Sequence, residues 1–334
     1  MTGQSGDTPL GTVLRDTAVV AAGVERAREL VATVDPFVAN QSPFDRQARL
    51  RLPASVRVVD QPAYLDFLQT QVRPWPEGAI EALRGIVASI AAKFRGLDLH
   101  LPATVHLVLT TGEEEGGAAY TRRDDTIVLP AGKVALLGGG DALHPRPDLG
   151  ALEDIVIHEF FHLLSKNNPA ARRRLYGLVG YRQLDRAVPL PDVAWRGARL
   201  ADLEITNPDT PVLDVVLDMA PPGSGGPARP WLPVLLANAP YETGPFFAYL
   251  EWWLFAVESD GAGGWRVELD ANGAPVTLAT DDAAFAEAYR RIVGGNFTEE
   301  IFHPDEVLAQ NFVLVMNQPS LGLLREIAAE IVRA

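Results

Sequence analysis

Apolar positions recur at helical spacing over residues 11–34 (Val13, Leu14, Val19, Val20, Val24, Leu30, Val31) and stop before Pro36, which predicts an outer helix. Val56–Val59 reads as a short strand, and helices are expected over about 62–72 and 76–94. A period-two pattern then takes over. Thr104–Thr110 alternates and is rich in β-branched residues, while Ala118–Thr121 and Thr126–Pro130 read as a hairpin turned at Arg123–Asp125. The strongest helical stretch follows at 151–166, where Ile155, Val156, Ile157, Phe160, Phe161, Leu163 and Leu164 leave almost no polar face. Glu153 and Asp154 sit in its first turn, and Lys166, Asn167, Asn168 and Pro169 close it. Such a helix belongs inside a domain.

Beyond it the spacing predicts a second helix over 170–179, opened by Pro169. Residues 183–240 show little periodicity and many Pro and Gly residues, the pattern of a functional loop or lid. The run FFAYLEWWLFAV (246–257) is expected to be an apolar helix, 264–280 a hairpin around Asn272-Gly273, and 282–293, 301–316 and 321–332 helices. The expected fold is α+β. Residues 1–55 form a helix and connecting segment, 56–166 a small mixed sheet lobe ending in the buried helix, and 167–334 a mainly helical lobe.

Composition narrows the chemistry. The 334 residues suffice for one large domain or two lobes. With 29 basic against 43 acidic residues the net charge is −14, which disfavours nucleic acid and anionic membranes as partners. No run approaches a membrane span, and Ala18–Gly23 is too short and too closely flanked by charge for a signal peptide, so a soluble, cytoplasmic protein is expected. Cysteine is absent, so a metal would have to be held by histidine and carboxylate.

The buried helix carries that donor set as His158-Glu159-Phe160-Phe161-His162. Histidines four apart on a helix share a face and can reach one metal ion, and the glutamate beside the first can act as a base on water. A catalytic zinc site takes a third protein ligand. Glu306 is the favoured candidate, because Pro304 starts a helix that holds it in the first turn, with Ala309 as a close-contact position and Gln310 placed to bond a ligating histidine. Glu204, Asp209 and Asp185 are the rivals. His106 is read as a sheet histidine, the arginines 46, 49, 51, 122 and 123 as solvated, and Glu113–Glu115 as a solvated turn.

HEFFHLLSKNNP, ITNPD and HPDEVLAQNF together resemble the gluzincins, the zinc metallopeptidases that include thermolysin and neprilysin relatives, and in particular an uncharacterised group of bacterial gluzincin-like metallopeptidases. The resemblance covers residues 100–315 in scattered blocks. It implies a zincin-like fold, Zn2+ held by His158, His162 and Glu306, and Gln310 where the family has an orienting aspartate. The longer HExxHxxGxxH pattern is excluded by Ser165 and Asn168. GAAYT (117–121) resembles the family's substrate-pairing edge strand, which implies peptide binding at Ala118, Ala119 and Tyr120. The expected activity is hydrolysis of a peptide or small amide, with Glu159 as general base and Tyr241 or, behind it, His303 and Tyr181 as oxyanion donor. Two other readings use the same residues: a non-haem iron oxygenase with two histidines and a carboxylate, or a catalytically silent metal-binding protein.

Overall fold

The computed structural model describes residues 6–14, 17–76, 78–134, 149–223, 225–281, 283–294, 302–317 and 329. In chain order the elements are β1 (Thr8–Val13), β2 (Thr17–Ala21), α1 (Val24–Val31), α2 (Pro36–Asn40), α3 (Pro43–Leu50), α4 (Gln61–Gln71), α5 (Ala79–Lys93), β3 (Thr104–Thr110), β4 (Tyr120–Arg122), β5 (Thr126–Pro130), α6 (Ala131–Val134), α7 (Leu149–Asn167), α8 (Pro169–Leu178), β6 (Tyr181–Gln183), β7 (Ala194–Trp195), β8 (Ala198–Arg199), β9 (Val215–Met219), β10 (Arg229–Ala237), β11 (Leu250–Ser259), β12 (Trp265–Val267), β13 (Thr277–Leu278), α9 (Ala283–Val293) and α10 (Pro304–Asn317). The class is α+β. The chain divides into two units, one of residues 1–35, 60–172 and 311–334, the other of 36–59 and 173–310, and the last two divisions fall inside α8 and α10.

The first unit is built on a five-stranded mixed sheet of order β1-β2-β3-β5-β4. Strands β2, β3 and β5 run parallel, and β1 and β4 pair antiparallel at the two edges. The central strands are buried on both faces, so Val105, Leu107, Val108, Ile127, Val128 and Leu129 form a continuous apolar layer. Arg123 takes the left-handed conformation (φ 56°) that turns β4 into β5. Helix α7 lies against β4 and β5. Phe160 meets Phe94 edge-on at 5.6 Å, and Phe312 of α10 closes on Phe94 and Phe161 at 5.5 and 5.4 Å. Two asparagines end α7: Asn167 and Asn168 donate to the carbonyls of Leu163 and Leu164 at 2.9 and 2.8 Å, and Pro169 cannot continue the ladder. Lys166 donates to Thr121 of β4, tying the helix end to the sheet edge.

The second unit is centred on a six-stranded antiparallel sheet, β12-β11-β10-β9-β6 with β13 also on β11. This corrects the expectation of a mainly helical lobe. Leu250–Ser259, expected as a helix, is a strand; its apolar run Trp252–Val257 carries no period that separates a strand from a buried helix. Its ladder with β10 spans seven residue pairs, from Trp231↔Ala256 to Ala237↔Leu250. Strand β10 contains Pro230 and Pro233; its ladder with β9 ends at Trp231, so Pro233 stands where a missing N–H interrupts no bond to that neighbour. The segment 183–240 is therefore largely ordered strand and turn.

Other expectations also change. Residues 11–34 hold the β1–β2 hairpin and α1, because Thr17–Ala21 and Thr12–Val13 are β-branched runs whose apolar spacing fits either period. Val56–Val59 is no strand, and Val56 and Val58 are exposed. Helices 62–72, 76–94, 170–179, 282–293 and 301–316 appear within a few residues of their expected bounds, as does the hairpin turned at Gly273. The expected helix at 321–332 lies outside the described residues, save residue 329.

Arg49 departs furthest from expectation. It is 2 % exposed, pairs with Asp45 at 2.5 Å within α3, and lies over the Phe37 and Phe246 rings at 5.1 and 4.7 Å. Helix α3 is set by a capping box in which Ser42 and Asp45 each accept the other's backbone N–H. Asp45→Ala strands a buried guanidinium and is expected to destabilise the second unit by about 3–5 kcal/mol. Five of the six tryptophans (195, 231, 252, 253, 265) lie in this unit, so denaturant unfolding followed by their fluorescence reads the loss.

Candidate metal centre

In the first unit, one face of α7 carries His158, Glu159 and His162. His158 and His162 are about 40° apart around the helix, and Glu159 is within about 60° of His162, so all three side chains leave the same side. The two imidazole centroids stand 4.8 Å apart with planes at 71°. His162 is fully buried and Glu159 is 4 % exposed, while His158 is half-buried. The surrounding apolar side chains explain why the helix is rigid here: Val156, Ile157, Phe160 and Leu163 are all fully buried. A rigid helix is the support that a ligand pair needs.

In the second unit, the loop Ile205–Asp209 carries Asp209 and the start of α10 carries Glu306. The loop is gripped through its backbone by α3. Both Asp45 oxygens accept from Thr206 N (3.2 and 3.1 Å), Arg49 donates to the Thr206 carbonyl at 3.1 Å, and Ser42 Oγ donates to the Glu204 carbonyl at 2.6 Å. From that anchor Asn207 Nδ2 donates to Glu306 Oε1 at 2.7 Å, while its Oδ1 accepts from Asp209 N at 2.8 Å. Glu306 is 4 % exposed and Asp209 9 %. The start of α10 is fixed independently. His303 Nδ1 accepts from Asp305 N at 3.1 Å and the His303 carbonyl accepts from Val307 N, the work of a cap residue, while Tyr176 donates to Asp305 Oδ1 at 2.8 Å.

Among the described residues two groups have donor sets that could hold a metal ion: His158, His162 and Glu306, and Glu159, His162 and Asp209. Two imidazoles and a carboxylate, with no thiolate in the chain, fit zinc. Asn207 was not foreseen. A lone asparagine in a Pro-rich stretch has many roles, and only its hydrogen bond to Glu306 distinguishes it. Residues that bond a ligating carboxylate fix its orientation, so Asn207→Ala is expected to weaken metal binding by about 10- to 100-fold, read by competition with a chelator.

The remaining predicted residues divide. Tyr241 is not placed as a free oxyanion donor: its ring is enclosed by Phe44 and Tyr249 at 6.2 and 5.3 Å, its hydroxyl donates to the Gly244 carbonyl at 3.0 Å, and burial raises its pKa. Tyr181, the third choice, pairs hydroxyl to hydroxyl with Tyr289 at 3.1 Å in the core. His303 serves α10 as described. Asp185 is exposed and faces Arg173, which removes it as a ligand candidate. Of the edge-strand residues, Ala118 and Ala119 precede β4 and Tyr120 begins it; the Tyr120 ring is buried with its hydroxyl on Glu114 at 3.3 Å, so only its backbone is offered. Glu114 and Glu115 are buried rather than solvated, and burial raises the Glu114 pKa. Arg122 is fully buried on Asp35 at 2.7 Å and on the carbonyls of Val31 and Thr33.

No helix among the described residues is long and apolar enough to cross a membrane. Compared with protein-family models, curated proteins and solved structures, the chain matches none.

Proposed function

We propose that the protein is a zinc-dependent metallohydrolase that cleaves amide bonds, with peptides as the substrate class and His158, His162 and Glu306 as the metal ligands. The observation that carries this reading is the single face of α7, which presents two imidazoles 4.8 Å apart beside a buried carboxylate. Glu306 is preferred because it forms one of the two candidate donor groups with His158 and His162, and Asn207 holds its carboxylate. Once bound, a zinc ion supplies Lewis acidity to a carbonyl and lowers the pKa of water.

The chain's own residues do the rest. Glu159, shielded from solvent, takes the proton from the attacking water and passes it to the leaving nitrogen. Asn207 holds Glu306 in one orientation, and the α3 anchor holds Asn207. The test is a mixed peptide library incubated with the protein and read by mass spectrometry. Cleavage that stops on chelation and returns with added zinc is the expected result, and cleavage indifferent to the chelator contradicts the proposal.

A further inference from the structure

The turn Glu113–Glu115 joins β3 to the edge strand β4, and its middle residue, Glu114, is fully buried. The two carboxyl oxygens are placed differently. Oε1 accepts from Thr110 Oγ1 of β3 at 2.5 Å and from the Tyr120 hydroxyl of β4 at 3.3 Å. Oε2 is enclosed with no hydrogen-bond partner among the described residues, and no cation of those residues stands against the carboxyl. The Thr110 hydroxyl also accepts from Gly112 N at 3.2 Å, so one chain of bonds runs from the loop backbone through Thr110 to Glu114. Gly117 N donates to the Gly112 carbonyl at 2.7 Å and Ala118 N to that of Glu115 at 3.1 Å, which closes the loop on itself. Gly112 has φ 84°, and a Cβ there would meet the Pro130 Cβ at 2.5 Å, so the loop sits hard against the end of β5.

An enclosed oxygen without a donor costs little on a carboxylic acid and much on a carboxylate. Burial outweighs the two hydroxyl donors and raises the Glu114 pKa. The groups that face the Glu114–Tyr120 pair do not offset this. Tyr64 comes from α4 and Glu115 from the turn itself, while Arg122 of β4 is taken up by Asp35 at 2.7 Å. Lys166 of α7 meets Thr121, whose side chain leaves β4 on the opposite face from Tyr120. A carboxylate formed here reaches water only if the loop leaves its seat. The loop has fixed ends. Thr111 is bound through its N–H to the Gln71 carbonyl at 2.9 Å and through its hydroxyl to Gln71 Oε1 at 2.5 Å. Arg122 is bound to Asp35 and to the carbonyls of Val31 and Thr33. Between them Tyr120↔Val128 is the end pair of a ladder of three, a short edge that opens at small cost.

We infer that Glu114 is a proton-operated clasp: carrying its proton it locks the β3–β4 loop to both strands, and loss of the proton releases residues 112–120 between the fixed ends at Thr111 and Arg122. The device lies within the first unit and requires nothing of the metal reading. Its sign follows from linkage. The folded chain holds this proton more tightly than the unfolded chain, so the contribution is full at acid pH and is lost as pH rises through the raised pKa.

Hydrogen exchange of the full chain, read by mass spectrometry from about pH 5 to 9 and corrected for the intrinsic rise of exchange with pH, tests this. Above the transition, one released proton should make opening of 112–120 about tenfold more favourable per pH unit, while 104–109 and 126–129 stay protected throughout. Glu114→Gln keeps the shape and never charges, so its 112–120 segment should exchange without pH dependence. Tyr120→Phe fills nearly the same space but removes a donor that favours the carboxylate, and should move the transition to higher pH. Wild-type protection of 112–120 that is flat with pH, a pH dependence that persists in Glu114→Gln, or one shared by the central strands overturns the inference. If Glu114→Gln does not fold, the wild-type chain and Tyr120→Phe decide it, and a transition that Tyr120→Phe leaves in place or moves to lower pH overturns it as well.

Discussion

Glu159→Gln is expected to lower amide hydrolysis by about 10²- to 10⁴-fold, the usual contribution of a positioned general base, while zinc content stays at the wild-type value. The two side chains have the same shape, and Glu159 is 4 % exposed, so the substitution changes proton affinity with little change in packing. Glutamine accepts no proton near neutral pH and cannot return one to the leaving nitrogen. The comparison is made on kcat/KM for one cleaved peptide together with metal analysis of both proteins. Equal turnover would remove Glu159 from the chemistry and return the protein to the silent metal-binding reading.

Removing a ligand acts on the other quantity. Glu306→Ala and His162→Ala are each expected to weaken zinc binding by on the order of 10²- to 10³-fold. Structural zinc sites bind with about 10–16 kcal/mol shared among four ligands, so one ligand accounts for about 2.5–4 kcal/mol. Zinc in the wild-type protein should show two imidazole nitrogens at about 2.0–2.1 Å and carboxylate oxygen at about 2.0–2.2 Å by X-ray absorption. Loss of the carboxylate from the zinc's coordination shell in Glu306→Ala, with water oxygen remaining, identifies the ligand. Its retention there, with loss in Asp209→Ala instead, would move the third ligand to Asp209, which shares His162 with Glu159 in the other candidate group.

Much of the first unit was legible in the sequence. Thr104–Thr110 and Thr126–Pro130 show β-branched runs, and the buried helix shows both its apolar girth and its Asn-Asn-Pro stop. The second unit was not, for two physical reasons. Strand β11 is apolar without a break from Trp252 to Val257, so its period is silent there, and β10 carries prolines that read as loop although Pro233 lies beyond its ladder with β9. Polar residues that work through partners were also hidden. Arg49 and Arg122 look like solvated arginines until Asp45 and Asp35 are found beside them, from four and 87 positions away. His158, Glu159 and His162 were legible because a shared helix face needs only helical spacing. Asn207 was not, because its bond to Glu306 spans 99 positions.

Metal analysis of the protein purified without added metal bears most directly on the central claim. The account predicts close to one zinc per chain, with no zinc retained when His158 and His162 are both replaced by alanine. Iron at the same stoichiometry would transfer the site to oxygenase chemistry, and a metal-free wild-type protein that also fails to take up zinc would contradict the metal centre altogether.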